Sequence, residues 1–327
     1  MTLQIGSLSL PHNAVLAPMS GVTDKPFRQI VRACGGGLVV SEMIASHAVL
    51  SAVKDEMRKL QFSADEETLL SIQLAGWDPE IMAEAARISE QLGARLIDIN
   101  MGCPAKKVTG RLSGSALMRD LPLAAEICRS VKSAVSVPVT LKMRLGWDPD
   151  TKNAPELARI AEAEGIEMLA VHGRTRCQMY KGEADWQAVH DVKAVSNLPL
   201  LVNGDITSLD NVADAQEKSG ADGVMIGRGA QGRPWFIAQA GAKLNGDEIP
   251  TIPTIAERHD ILRAHLEGML SFYGTQALRL ARKHMAWYAT GLPGSAALRQ
   301  IANNASDADT VFAAIDHYFI EQAECAA

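Results

Sequence analysis

Residues 96–107 read LIDINMGCPAKK. Leu96, Ile97 and Ile99 make an apolar run that fits a buried strand. Gly102 and Pro104 punctuate the chain on either side of Cys103, so the thiol is expected on a tight turn at a strand end. Lys106, Lys107 and Arg111 follow. A thiol at a strand end beside several cations points to acid–base or nucleophilic chemistry on an anionic substrate.

The pattern repeats on both sides of this stretch. The apolar runs are VLAPM (15–19), LVVSEM (38–43), LLSIQLAG (69–76), LIDINMG (96–102), PVTLKMR (138–144), MLAVHGR (168–174), PLLVNGD (199–205) and GVMIGRG (223–229). Runs rich in Val, Ile and Leu fit strands of a parallel sheet buried on both faces. Gly93, Gly165 and Gly220 stand where left-handed caps would end the intervening helices. Pro138 and Pro199 open the fifth and seventh runs, where a missing N–H costs little. Eight strand–helix units predict an α/β fold, a (β/α)8 TIM barrel. A doubly wound open sheet is the rival, but it usually has fewer strands, and no glycine-rich dinucleotide fingerprint follows the first run. The segment LQIGSLSL (3–10) is expected to form a hairpin closing the opposite end.

Beyond Gly246 the pattern changes. DEIPTIPT (247–254) reads as a linker, and Thr254 with Glu257 makes a capping box. Leu262, Leu266, Met269 and Tyr273 recur at helical spacing up to Gly274, and further helices are expected over 276–290, 295–304 and 307–325. The predicted organisation is a catalytic barrel over 1–246, a linker over 247–254 and an all-α domain over 255–327.

Composition narrows the function classes. Of the 327 residues, 47% are hydrophobic, which is enough for a sizeable core, and the net charge of −6 argues against an all-over nucleic-acid binder while allowing a local basic groove. No apolar stretch approaches the roughly 18–20 residues of a membrane span, and the N-terminus lacks a signal-peptide pattern. The five cysteines (Cys34, Cys103, Cys128, Cys177 and Cys325) are odd in number and lack zinc-ligand spacing. They predict a reduced cytoplasmic protein with no disulfide and no metal. Cys34, Cys128 and Cys325 read as inert, and Cys177 has no assigned role.

Polar residues follow the strands: Ser20, Glu42, Gln73, Asn100, Lys142, His172, Asn203 and Arg228. In a barrel that is the C-terminal rim, where chemistry is expected. Lys142 either snorkels to water or faces a ligand that becomes anionic. Gly204-Asp205 and Gly227-Arg228 are ordinary turns singly; together, at the seventh and eighth loops, they suggest a phosphate cradle. His172 could be a simple hydrogen-bonded rim histidine, Gln73 suits the edge of a heterocycle, and Pro18-Met19-Ser20 would bring backbone close to a flat ligand. Arg279, Arg282 and Lys283 share one helix face, either solvated or facing a phosphate backbone.

Taken together, APMSGVTDKPFR (17–28), SEM (41–43), IQLAG (72–76), DINMGCPAKKV (98–108), GSALM (114–118), LKMRLGW (141–147), VHGRTR (171–176), NGDI (203–206), MIGRGAQGRPW (225–235) and RLARKHMAWY (279–288) resemble the bacterial tRNA-dihydrouridine synthases, and most closely subgroup B. The resemblance implies a barrel holding FMN, NADPH as reductant, and a helical domain that helps grip tRNA. By motif, Pro18, Met19 and Ser20 would line the flavin, and Gln73, Lys142 and His172 would contact it. Asn203, Gly204, Asp205, Gly227 and Arg228 would serve its ribityl phosphate end, with Cys103 as catalytic acid. Lys106, Lys107, Arg111, Arg279, Arg282 and Lys283 are the expected tRNA contacts. The subgroup points to a D-loop uridine, position 17, and gives no reason to expect more than a monomer.

The chemistry follows from the uracil ring. C5=C6 is conjugated to the C4 carbonyl, so C6 takes the hydride from N5 of reduced flavin and C5 then needs a proton. With an unperturbed pKa near 8.5, only about 3% of a thiol is ionised at pH 7, so Cys103 can supply it. Lys142 would stabilise negative charge on the reduced flavin. The uridine must leave its stack to reach a barrel mouth. Three rivals remain: a flavin enzyme of a free pyrimidine resembling dihydroorotate dehydrogenases, a redox-inactive barrel for a phosphorylated metabolite, and a non-catalytic RNA-binding protein.

Overall fold

The computed structural model describes residues 2–60, 69–110, 112–305 and 307–326. Arg111 lies outside the described residues. Eight parallel strands close into a barrel: β3 (Ala14–Leu16), β4 (Val39–Val40), β6 (Leu70–Ala75), β7 (Leu96–Met101), β8 (Val139–Arg144), β9 (Met168–His172), β10 (Leu200–Asn203) and β11 (Gly223–Ile226). Pairing of β11 with β3 and of β4 with β6 completes the circle, and a short β5 (Ile44–Ala45) runs beside β6. Seven of the eight expected runs contain a barrel strand, and the first, 15–19, overlaps β3, which begins one residue earlier at Ala14. The antiparallel hairpin β1 (Gln4–Ile5) and β2 (Leu8–Ser9) lies where LQIGSLSL predicted it.

Alternation along each strand sorts the side chains. Ile97, Ile99 and Met101 join the core between strands and outer helices. Leu96, two and four residues before Asp98 and Asn100, belongs with Leu3, Ile5, Leu10, Met168, Ala170 and Leu201 in a second cluster that fills the barrel floor under the hairpin. Burying each such aliphatic side chain contributes about 1.5–3 kcal/mol. The apolar floor leaves the upper interior to polar residues. Register stacks them in rows: Gln73, Asp98 and Thr140; then Asn100 and Lys142; then Arg144, His172 and Asn203.

Local signals end the helices as expected. Gly220 adopts φ +64° after helix Leu209–Ser219, a left-handed cap that a Cβ would strain. Thr254 and Glu257 form the reciprocal capping box that opens Ile255–Tyr273. That helix, with Ala277–Tyr288, Ser295–Asn304 and Ala308–Ala326, encloses a third apolar cluster including Leu262, Leu266, Met285, Leu298, Ile315 and Phe319. Trp235, from the segment after β11, belongs to the same cluster and joins the bundle to the barrel side. Helix Lys25–Ala33, which follows β3, packs on Ile255–Tyr273. None of the helices in the described residues is long and apolar enough to cross a membrane.

Candidate active site

A cavity of about 440 Å³ opens at the C-terminal ends of the barrel strands. Its walls bring together Pro18, Met19, Ser20, Gln73, Cys103, Lys142, His172, Asn203, Gly204, Asp205, Gly227 and Arg228, every cofactor and catalytic candidate from the sequence. They come from loops distant in the chain, joined by barrel closure.

The Cys103 turn is built from its own strand. Asn100 Oδ1 accepts from the backbone N–H of Gly102 at 3.1 Å and of Cys103 at 2.9 Å. Cys103 O accepts from the N–H and the hydroxyl of Ser115. Gly114, at φ +60°, lies against the cysteine; a Cβ there would come within 2.8 Å of Cys103 O. The loop is thus pinned on both sides with the thiol half-exposed to the cavity.

Below it lies the row Gln73–Asp98–Thr140. Gln73 Nε2 donates to Asp98 Oδ2 at 2.7 Å, and Thr140 Oγ1 donates to Asp98 Oδ1 at 2.6 Å. Asn100 Nδ2 donates to Gln73 Oε1 at 2.7 Å. Burial raises the Asp98 carboxyl to about 6; those two hydrogen bonds and the Lys142 charge oppose the rise. Lys142 donates to Asn203 Oδ1 at 3.1 Å. Burial, with the Arg144 charge, brings its ammonium down to about 8. A desolvated cation hydrogen-bonded to a neutral amide is poised for an anion in the cavity.

Arginines brace the far wall. Arg144 donates to the carbonyls of Gly102, Thr175 and Met179, tying the Cys103 loop to the loop after β9. Arg174 donates to both oxygens of Asp205, and Arg228 reaches Asp205 Oδ1 at 3.0 Å. Burial acts to raise the Asp205 carboxyl, but the bonds from Arg174 and Ala184 prevail and hold it below the usual range. Burial, then the charges of Arg144, Lys142, Arg174 and Arg228, hold His172 well below 6.5, so its imidazole is neutral at pH 7. Asp205 therefore orients two arginines at the Gly227–Gly229 end. Backbone meets backbone there: a Cβ on Gly229 would fall 2.3 Å from Ile206 O.

The cationic candidates divide. Lys106 and Lys107 are exposed on the short helix Lys106–Thr109, directly after the Cys103 turn. Arg279 is exposed, whereas Arg282 is half-buried and its Nε lacks a hydrogen-bond partner. Lys283 donates to Gly21 O, in the turn that follows Ser20. Among the other cysteines, burial pushes Cys34 up to about 11 and Cys128 up to about 12, as inert thiols require. Cys177 and Cys325 are exposed. No group of three or more His, Cys, Asp or Glu among the described residues could hold a metal.

Sequence reading missed Arg144, Arg174, Tyr180 and Met43. Arg144 stands two residues after Lys142 and so shares its inward face, a signal the alternation contains. Tyr180, which lies under the guanidinium groups of Arg144 and Arg228, sits in an irregular loop with no such signal.

Comparison with known proteins identifies the family. The dihydrouridine synthase (Dus) family profile matches residues 15–324. A probable tRNA-dihydrouridine synthase of Rickettsia conorii is 50% identical over 306 residues, covering 93% of this chain and 92% of that protein. One from Rhodobacter capsulatus is 49% identical, covering 98% and 99%. The tRNA-dihydrouridine synthase B of Pseudomonas aeruginosa is 45% identical, covering 98% and 96%. Among solved structures, 6-hydroxypseudooxynicotine amine oxidase from Pseudomonas geniculata superposes with a TM-score of 0.59 at 14% identity, over 80% of this chain and 52% of that one. A 2-naphthoyl-CoA reductase gives 0.57 at 15%, over 77% and 53%. This chain spans about half the length of those two, and the likeness is one of fold. On the profile and the full-length relatives together, the chain belongs to the dihydrouridine synthase family.

Proposed function

We propose that this protein is a tRNA-dihydrouridine synthase that reduces the C5=C6 bond of a D-loop uridine, position 17, with FMN as cofactor and NADPH as reductant. The observation that carries this reading is the pinned Cys103 thiol on the wall of the same cavity as the half-buried Lys142 ammonium.

The lining fits a flavin. Ala17, Pro18 and Met19 offer an apolar surface to a ring face. Gln73 and Asn100 line the cavity, and each amide nitrogen keeps a second hydrogen beyond the bond already described. Lys142 supplies a desolvated positive charge for the flavin ring, while Asn203 holds its ammonium in place. Arg228, about half-exposed, and the closely approaching backbone of Gly227–Gly229 suit a phosphate at the other end. When bound, the flavin supplies a hydride to C6 of the uracil ring.

The chain's own residues do the rest. Cys103 holds its thiol proton for C5, and the Asn100 and Ser115 bonds fix where that proton is delivered. Neutral His172 can accept or donate a hydrogen bond without adding charge. Lys106, Lys107, Arg279, Arg282, Lys283 and Arg111 are assigned to the tRNA backbone, with the helical segment 255–327 as a second grip beside the barrel domain of 1–246. The reading includes a monomer acting in the cytoplasm.

A flavin enzyme of free pyrimidines is the alternative, and it gives no role to the bundle docked beside the mouth. Purified protein supplied with NADPH and either unmodified tRNA or free uridine and dihydroorotate separates the two. Yellow protein that forms dihydrouridine only in tRNA supports the proposal. Turnover of a free pyrimidine at the higher kcat/KM sinks it, as does colourless protein with no turnover.

A further inference from the structure

Five groups in the barrel interior form a hydrogen-bonded chain with one direction. The backbone N–H groups of Gly102 and Cys103 donate to Asn100 Oδ1; Asn100 donates to Gln73; Gln73 donates to Asp98. The two ends are fixed in kind. A peptide N–H only donates, and an ionised carboxylate only accepts. The two amides between them must therefore both point the same way, since turning either one sets N–H against N–H. The chain is closely covered: Gln73 is 1% exposed, Asp98 2% and Asn100 6%, so a reversed amide has little water to turn to. Neighbouring register on β6, β7 and β8 holds the members side by side, and Thr140 fills the second oxygen of Asp98.

We propose that Asp98 is a positioning residue: its carboxylate sets the direction of the Gln73 and Asn100 amides and so fixes the main chain that carries Cys103. This deepens the reading of Cys103 as proton donor and rests on it. It also accounts for a buried acid with no contact to the reacting atoms. Asparagine at position 98 is isosteric but presents a donor as readily as an acceptor. With Thr140 still donating to its oxygen, the new amide points its N–H₂ at Gln73. Gln73 and then Asn100 must reverse, and the N–H groups of Gly102 and Cys103 lose their acceptor.

The chain makes a sharp demand on a second change. In Asp98→Asn/Gln73→Glu the carboxylate moves one place along. The introduced carboxylate at position 73 then accepts from the introduced amide at position 98 and from Asn100, and Asn100 Oδ1 again faces the Cys103 loop. Every group is satisfied with the original direction restored at the cysteine. Gln73→Glu alone sets two carboxylates against each other.

The test is iodoacetamide labelling of the purified proteins, with each cysteine followed by peptide mass spectrometry, alongside thermal unfolding and turnover on tRNA. Cys128, fully buried, reports global unfolding in the same sample. Asp98→Asn is expected to raise Cys103 labelling at least threefold and to slow turnover at saturating tRNA about tenfold while Cys128 stays protected. The double variant is expected to return Cys103 labelling and the unfolding temperature towards wild type, beyond either single change. Should Asp98→Asn also expose Cys128, recovery of that protection in the double variant still supports the chain. Wild-type Cys103 labelling in Asp98→Asn, or a double variant as damaged as the sum of the singles, overturns it. Labelling does not depend on catalysis, so a wrong role for Cys103 is recognised separately, by turnover that survives its removal.

Discussion

The hydroxyl of Tyr273 donates to Asp24 Oδ2 at 2.9 Å, joining the last turn of Ile255–Tyr273 to the N-cap of Lys25–Ala33. Asp24 is 3% exposed, and burial raises its carboxyl to about 6. Between pH 3.8 and 6 the folded state binds more protons at Asp24 than the unfolded state, so this group weakens stability as pH rises through that window. Tyr273→Phe leaves a buried acceptor short of a donor. It should cost about 1–3 kcal/mol in urea unfolding at pH 7 and less at pH 4, where Asp24 is protonated. An unchanged midpoint at pH 7 would remove this bond from the docking of the bundle.

The bundle also hides two imidazoles. His265 and His284 are each 1% exposed, their ring centroids lie 4.6 Å apart, and none of their four ring nitrogens has a hydrogen-bond partner. Burial, then the Lys283 charge, lowers His265 to about 3. Below pH 6.5 the unfolded chain gains a proton at this position that the folded chain refuses, so stability falls as pH falls towards 3. The slope is about 1.4 kcal/mol per pH unit for one histidine, hence about 2 kcal/mol from pH 6.5 to 5. His265→Leu should remove that share. Comparing wild type with the variant at pH 7 and pH 5 cancels the opposing acids Asp24 and Asp98; a difference independent of pH would contradict the assignment.

Much of this was legible in the chain because the barrel repeats. Eight runs of similar length gave the strands, and Gly102 with Pro104 marked the turn at Cys103. What escaped depends on contacts distant in sequence or on irregular loops. The Lys283–Gly21 bond joins positions 262 apart, so helical spacing placed Lys283 on a cationic face but could not show that it also holds the turn beside Ser20. Arg174 ends the run MLAVHGR with no role apparent from the pattern, yet its side chain is 2% exposed and clasps Asp205. Periodicity says nothing of such a pairing. It did contain Arg144, through its even spacing from Lys142.

Lys142→Met keeps a long apolar stem but removes the charge. With flavin bound, it should shift the flavin midpoint potential negative and slow reduction about 10²–10³-fold, the usual effect of losing one preorganised electrostatic group. Spectroelectrochemical titration reads the potential. A wild-type value would place the ammonium away from the flavin ring.

Arg279 is the exposed member of its cationic helix face, and Lys283 is engaged with the barrel. Arg279→Ala should weaken tRNA binding and reduce the slope of log affinity against log salt by about 1. Lys283→Ala should in addition lower the unfolding temperature. A salt slope unchanged in Arg279→Ala would take this face out of the tRNA path.

Cys103→Ala puts the proton donor itself to the test. The variant should remain yellow and bind tRNA, yet mass spectrometry of the incubated tRNA should find no dihydrouridine. Dihydrouridine formed at the wild-type rate would show that C5 receives its proton from some other group.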